Sequence, residues 1–541
     1  MNLSLFNRYT FFAVCVLFTV LSLPFLFVVG WLWPFTLLTG ALSLLGVFDL
    51  LQHKHAVRRN YPILGNVRYL VESIRPEIRQ YLIESDNEQL PFSRAQRSLV
   101  YARAKNQTAD TPFGTLKDVN RVGYEFISHS MLPVVHGNPD EFRVQIGGPQ
   151  CLQPYSASIF NISAMSFGSL SANAIEALNK GARLGNFAHD TGEGSISPYH
   201  LKHGGDLIWE LGSGYFGCRD GNGAFDPERF ATQASRPQVK MIEIKLSQGA
   251  KPGHGGILPK HKISAEIAAT RGIPQGQDCI SPARHTTFST PVELLHFIQR
   301  LRDLAEGKPV GFKLCLGHPW EFMAIAKAML ETGIVPDFIV VDGKEGGTGA
   351  APLEFTNHIG VPLREAVMFV HNTLMGVGLR DQIRIGASGK IISAFDIASV
   401  LAIGADWVNS ARGFMFAVGC IQSRTCHTNT CPTGVATQDP LRQRALVVPD
   451  KAQRVYHFHR NTMIALSEML AAAGLSHPAQ LEPRFLVHRL SATEIKLYSQ
   501  MHVYLKPGAL LSGEVEGEFY QRMWSMARAD SFEAAAPAAA S

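Results

Sequence analysis

From about residue 155 onwards, short β-rich runs alternate with amphipathic helical stretches, and this alternation restricts the fold more than anything else in the chain. It signals a parallel sheet, because parallel neighbours need a long crossover and a helix is the usual one. The clearest alternations are strand 161–166 into helix 171–184, strand 241–246, helix 291–305 into strand 310–314, helix 321–331 into strand 338–341, helix 363–377 into strand 383–385, and helix 394–403 into strand 407–409. Six strands are placed in this way, and residues 190–238 have room for the rest. The count predicts an α/β chain whose main domain is a closed (β/α)8 barrel. An open nucleotide-binding sheet would show a Gly-rich turn in its first unit, and the sequence has none.

The N-terminus is of another kind. No charged residue falls between Arg8 and Asp49, which leaves room for two membrane-crossing helices joined at Gly30-Trp31-Leu32-Trp33-Pro34. A secretory signal is the alternative, but the first apolar run, Thr10 to Val29, is long and is followed by a second run without a small-residue cleavage site. His53, Lys54, His55, Arg58 and Arg59 follow the second run and Arg8 precedes the first. By the positive-inside rule both ends face the cytoplasm, so the expected location is the inner (cytoplasmic) membrane with the catalytic mass on the cytoplasmic side. Four regions are expected: a transmembrane hairpin at 1–52, a helical linker at 53–115, the barrel at 116–480, and a C-terminal extension at 481–541 ending in a disordered Ala/Pro-rich tail from Ala534. The net charge of +5 includes the juxtamembrane cluster, and no basic stripe with interleaved aromatics is present, so a nucleic-acid partner is not expected.

In such barrels the chemistry sits at the C-terminal ends of the strands, with phosphate commonly held by the loops after the last two. Here those loops contain Gly386-Ala387-Ser388-Gly389 and Ser410-Ala411-Arg412-Gly413, the latter opening a helix. Glycines let backbone N–H groups approach a phosphate closely, and two such loops in succession suit a phosphomonoester such as that of FMN. Either loop alone reads better as a tight strand-to-helix turn; together, just before a cysteine cluster, they favour a flavin. Lys313 lies inside an apolar strand, where an inward cation can stabilise the negative charge of a reduced flavin. Earlier loops add Ser163, Ala164, Met165 and Ser166 for cofactor contacts, and Glu193 in a Thr-Gly-Glu-Gly turn. The polar loop Lys245 to Pro259 offers Gln248, Lys251 and His254 to an anionic substrate, while Gly347 and Thr348 stand in a Gly-rich loop suited to backbone approach.

Three of the eight cysteines lie close together: Cys420, Cys426 and Cys431, the last followed by Pro432. Clustered thiolates suit an iron–sulfur centre. A zinc site completed by His427 and ordinary buried thiols are the alternatives. The other cysteines are scattered, so a three-ligand cluster fits best, and unpaired thiols point to a reducing compartment.

Taken in order, Ser163 to Ser169, the Glu193 turn, Glu243 to Pro259, Ile280-Ser281-Pro282, Lys313-Leu314, Asp342 to Ala350 and Gly419 to Gln438 resemble the FMN-binding synthase domain of glutamate synthase. The resemblance implies FMN, a 3Fe-4S cluster on Cys420, Cys426 and Cys431, and reductive amination of 2-oxoglutarate to glutamate. It also implies that Lys313 and Glu193 are the catalytic residues. Glutamate synthases begin with a glutamine-hydrolysing domain whose nucleophile is an N-terminal cysteine, and carry a C-terminal β-helical domain. This chain starts Met1-Asn2 and stops short of the latter, so ammonia is expected free or from a partner. With no FAD or nicotinamide site in view, the expected electron partner is a ferredoxin, a reductase subunit or membrane quinone. The alternatives are a membrane-linked amino acid or N-alkyl glutamate dehydrogenase, and a non-catalytic electron-transfer protein.

Overall fold

The computed structural model describes residues 7–87, 91–107, 109–515 and 517–535, and the chain divides into two compact units at Glu88.

In the first unit, helices Thr10–Ser22 and Trp33–Leu51 pack antiparallel. Hydroxyls join them: Thr36 Oγ1 donates to Ser22 Oγ at 2.8 Å, and Thr19 Oγ1 to Thr39 Oγ1 at 2.9 Å. Gly46 admits the Phe12 ring, since a Cβ there would stand 2.2 Å from it. The outer faces are apolar, with Leu17, Leu21, Leu44 and Phe48 exposed. The first helix stops earlier than the apolar run expected to end at Val29, because Pro24 has no N–H to continue the ladder and the chain tightens to a 3-10 turn at Leu23–Phe25. Only Gly30–Leu51 is long and apolar enough to cross a membrane among the described residues; Thr10–Phe25 is shorter. Asp49, the first charge after the apolar stretch, is fully buried and accepts from Ile63 N at 3.0 Å and Asn66 Nδ2 at 2.5 Å, which fixes the start of helix Leu64–Ile78.

The second unit is built on a closed barrel of eight parallel strands. In chain order they are β1 (Phe160–Ile162), β2 (His189–Asp190), β3 (Leu207–Leu211), β4 (Val239–Lys245), β5 (Val310–Leu314), β6 (Phe338–Asp342), β7 (Arg384–Ser388) and β8 (Trp407–Ser410). Closure comes from β8 against β1, where Val408, Asn409 and Ser410 face Phe160, Asn161 and Ile162. The two strands left unplaced are β2, which begins one residue before the 190–238 stretch, and β3 within it. Boundary residues do much to start the helices: Thr290-Pro291-Val292-Glu293 forms a capping box, and Ser393 and Asp396 form another.

The barrel floor is filled by size complementarity. Ladder partners share a face, so Gly386 faces Trp407 and Gly311 lies beside Phe338. A Cβ on Gly386 would meet the Trp407 indole at 2.5 Å, and one on Gly311 would meet Phe338 O at 2.2 Å. The missing side chains admit two rings that pack edge to face at 5.9 Å. Above this apolar layer the inward positions turn polar.

The region expected as a linker at 53–115 divides between the units. Helix Arg94–Ala104 belongs with the barrel, where Arg103 Nη1 donates to Thr462 Oγ1 at 3.3 Å and Asn461 Nδ2 to Arg103 O at 2.9 Å. Residues beyond 480 also return to the barrel unit: Leu486–Arg489 pairs antiparallel with both Glu125–Ile127 and Ile495–Leu497. Of the tail expected to be disordered, 536–541 lie outside the described residues, while Ala535 N donates to Met526 O at 2.8 Å.

Candidate active site

The polar layer centres on Lys313. Strand register brings Glu210 beside Glu243 and Lys313 beside Lys245 on the inward face. Lys313 Nζ donates to Glu210 Oε2, stands 2.9 Å from Glu243 Oε1 and 4.0 Å from Asp190 Oδ2. All four residues are almost wholly buried. Asp190, Glu210 and Glu243 each bring an oxygen within 4.8 Å of the others, a spacing that suits a metal ion, but the Lys313 ammonium already contacts Glu210 and Glu243. Burial and the neighbouring Asp190 and Asp342 push the Glu243 carboxyl well above the usual range.

Towards the mouth, Lys245 Nζ lies 3.8 Å from Glu210 Oε1 and 3.2 Å from Glu193 Oε2. Burial alone would raise the Glu193 carboxyl, but Lys245, Arg271 and Lys251 hold it below its ordinary value. Glycines make room for it. A Cβ on Gly256 would stand 2.1 Å from Glu193 Oε1, and one on Gly212 2.8 Å from its Cβ. Lys251 is 5% exposed, and burial lowers its ammonium against the pull of Glu193. Gln248 is its near neighbour, its carbonyl accepting from Lys251 N at 3.3 Å.

The loops after β7 and β8 hold two further cations. Burial brings Arg412 down to about 10, and burial with Arg412 beside it lowers Lys390. Arg412 Nη2 donates to Glu345 O at 2.6 Å, while its guanidinium packs over Phe92 and against Gly347, where a Cβ would stand 2.9 Å away. Two desolvated cations on successive loops beside Gly389, whose φ of 155° favours glycine, fit a phosphate dianion. The helix expected to point at that phosphate is only Arg412–Ala417, so the cations carry the fit. Ser410 Oγ is engaged with Ile391 O at 2.6 Å, and Gly413 lies against Ser410, Ile392 and Phe458. Gly386, expected beside the cofactor, makes space for Trp407 in the floor. Ser163 N donates to Ser410 O at 3.1 Å, bringing the β1 and β8 loops together; Ala164 is half-buried, Met165 and Ser166 lie against Gly192, and Thr348 is exposed.

The cysteine loop follows directly. Burial pushes Cys420 up to about 12, with the Cys426 and Cys431 thiols adding to it, and burial with Cys431 beside it raises Cys426. Burial alone would raise Cys431 too, but N–H groups of Ala436, Thr433 and Val435 and the Thr433 hydroxyl hold it below its usual value. The three sulfurs nevertheless do not gather within 4.8 Å of one another. Tetrahedral zinc, with Zn–S of about 2.3 Å, sets sulfurs about 3.8 Å apart. His427, the candidate fourth zinc ligand, is exposed. Lys262 Nζ donates to Ser169 O at 3.0 Å and Cys426 O at 3.2 Å, placing a buried cation beside the loop.

Lys313, Glu193, Gln248 and Lys251 are thus brought to one mouth. Asp190, Glu210, Glu243 and Lys245 join them, while Lys390 stands by Arg412 at the phosphate loops; sequence reasoning had not assigned these five a role. The signal for the strand residues was a carboxylate or lysine at every second position of an apolar strand, as in Met241-Ile242-Glu243-Ile244-Lys245.

The conserved region in glutamate synthase is matched over residues 148–476. The glutamate synthase large subunit-like protein YerD of Bacillus subtilis is 40% identical over 482 residues, covering 82% of this chain and 91% of that protein. The archaeal glutamate synthase [NADPH] of Methanocaldococcus jannaschii is 36% identical over 58% of this chain and 59% of its own length. The glutamate synthase [NADPH] large chain of Bacillus subtilis is 35% identical over 54% of this chain but only 18% of its own length.

Proposed function

Because this chain belongs to the glutamate synthase family and is an oxidoreductase of that type, we propose that it interconverts 2-oxoglutarate plus ammonia with glutamate at the Lys313–Glu193 mouth. The observation that carries the reading is the row of cations and carboxylates there. A dicarboxylate needs fixed positive charge, and Lys251, buried and, among the described residues, without a hydrogen-bonded carboxylate of its own, supplies it with Gln248 alongside. Gly347, which lies against Arg412, and Thr348, on the loop after β6, are assigned to the substrate as further backbone and hydroxyl contacts. Glu193 is the carboxylate through which ammonia is received, and Lys313 is the cation next to the reacting carbon.

FMN is the cofactor this reading requires, its phosphate held by Arg412 and Lys390 with the backbone of Gly389, Ser410, Ala411 and Gly413, and its ring reached from Ser163 to Ser166. Cys420, Cys426 and Cys431 are the ligands of a 3Fe-4S cluster. Once bound, the flavin supplies hydride transfer and the cluster single-electron exchange with a ferredoxin, reductase subunit or quinone. Helices Thr10–Ser22 and Trp33–Leu51 form the membrane anchor, with the barrel on the cytoplasmic side of the inner membrane; their exposed apolar faces support this part of the reading.

The test is a half-reaction. In protein purified with its cofactors and reduced chemically, 2-oxoglutarate plus ammonium reoxidises the flavin and yields glutamate. Lys313→Ala slows that step by about a hundredfold, the order seen when one preorganised charge is removed from a buried site. A flavin indifferent to 2-oxoglutarate and ammonium but reduced by another amino acid or an N-alkyl glutamate would replace this reading with that of an oxidative dehydrogenase.

A further inference from the structure

The buried charges of the barrel do not balance. Asp190, Glu210 and Glu243 face two lysines, Lys313 and Lys245, with Asp342 the next carboxylate up the wall. The three carboxylates are not equal. Glu210 accepts from Lys313 and has Lys245 at 3.8 Å; Asp190 Oδ1 accepts from Gly192 N at 3.0 Å. Among the described residues neither oxygen of Glu243 accepts a hydrogen bond, at zero exposure, although Lys313 stands 2.9 Å from Oε1. A buried carboxylate so placed retains a proton, which then has an acceptor in the adjacent Asp190. From Glu243 the ion pairs run outward: Lys313 at 2.9 Å, Glu210 against Lys313, Lys245 at 3.8 Å from Glu210, within ion-pair reach but a side-chain movement short of a hydrogen bond, and Glu193 at 3.2 Å from Lys245.

We propose that Glu243 is the stored acid of a proton relay, Glu243 to Lys313 to Glu210 to Lys245 to Glu193, which delivers the proton consumed when a bound imine is reduced. The inference rests on the reading of the site given above. In that reaction the imine carbon gains a hydride, two electrons and one proton, from a reduced flavin. The C=N π bond breaks, and the nitrogen must gain one further proton to become an amine. Each link hands on one proton and takes one from its inner neighbour; Glu243 gives up its own and is reprotonated when the reverse reaction or solvent returns one through Glu193. The net change over a turnover is one proton from solvent.

Two measurements on the full cofactor-loaded chain test it, and the first needs no substrate. Infrared spectra of the resting protein show a buried carboxylic-acid C=O stretch that shifts in D2O, is absent from Glu243→Gln, and moves in Asp190→Asn, where its acceptor has changed. The second is reoxidation of reduced flavin by 2-oxoglutarate and ammonium. Glu243→Gln, which keeps the shape of the neutral acid and so keeps its melting temperature, reoxidises roughly tenfold or more slowly, with a larger solvent isotope effect and an altered pH profile. Retention of the acid band in Glu243→Gln, or reoxidation at the wild-type rate with unchanged isotope effect, overturns the relay while leaving glutamate synthesis standing. Failure of the wild-type flavin to respond to 2-oxoglutarate at all overturns the relay's substrate along with that reading, and the acid band still decides where the proton sits.

Discussion

His189 alternates with Asp190 on β2, the one directed outward and the other into the barrel, and among the described residues neither of its ring nitrogens has a hydrogen-bond partner. Burial holds its imidazole down to about 3, and the neighbouring His200 is lowered for the same reason, the two rings lying 5.1 Å apart. In the unfolded chain a histidine titrates near ~6.5. Above that value both states are neutral and stability is independent of this proton. As pH falls from about 6.5 towards 3, the unfolded chain takes up a proton that the folded one refuses, so stability declines across that window. His189→Leu removes one such proton. Urea unfolding followed from neutral to acid pH is expected to give a shallower decline for the variant than for the wild type; identical slopes would mean that His189 is not kept neutral by the fold. Sequence alone had singled out Lys313 because a cation inside an apolar strand is unusual. It could not assign Glu210 and Glu243 to the same charge cluster, because that needs the register of three strands separated by loops and helices of unequal length.

At the scale of elements, the strands and helices were legible wherever hydrophobic period and turn chemistry agreed. Strand Val310–Leu314 has the boundaries the pattern predicts, and helix Leu363–Gly376 differs by one residue. β2 was not legible, since a two-residue strand has no period to read. The role of Gly386 was open for a related reason: a glycine near a phosphate loop and a glycine making room for a ring look alike until the opposing residue is known. Trp407 decides it. Gly386→Ala is expected to cost about 1 to 3 kcal/mol by forcing the indole aside, measured as a drop in denaturation midpoint, whereas Gly389→Ala perturbs cofactor content first. A Gly386→Ala protein of wild-type stability would remove the size-matching account of the floor. The cysteine loop is separable from the phosphate loops by the same logic. Cys426→Ser is expected to lose iron while retaining much of its FMN, because Arg412 and Lys390 owe nothing to the thiols. Zinc in place of iron in the wild type, or loss of flavin in step with iron, would count against that separation.

The whole molecule follows from where its hydrophobic surface is spent. Within the barrel unit the large apolar side chains close over one another, and Trp209, Trp407, Phe160, Phe312 and Phe338 are all under 2% exposed. In the N-terminal unit the reverse holds: Leu17, Leu21 and Leu44 are 59%, 60% and 75% exposed on helices whose shared face is lined by small and hydroxylated residues. A surface of that kind is stable in lipid and a liability in water, since each exposed Leu or Phe forgoes roughly 1.5 to 3 kcal/mol of burial. The sequence already marked this contrast, because charge vanishes between Arg8 and Asp49 and nowhere else for so long. It did not mark the seam, which lies at Glu88 because helix Arg94–Ala104, although charged and polar like the segment before it, spends its buried face on helix Val448–Ala472. Two expectations follow for the protein in cells. The full chain sediments with membranes and resists salt and alkaline extraction, releasing only in detergent, whereas a chain beginning at Gln89 stays in the supernatant, melts cooperatively and retains flavin and iron. If the full chain were recovered from the supernatant, or if the shortened chain still sedimented, the N-terminal helices would not be the anchor, and membrane attachment would have to be sought on the barrel unit itself.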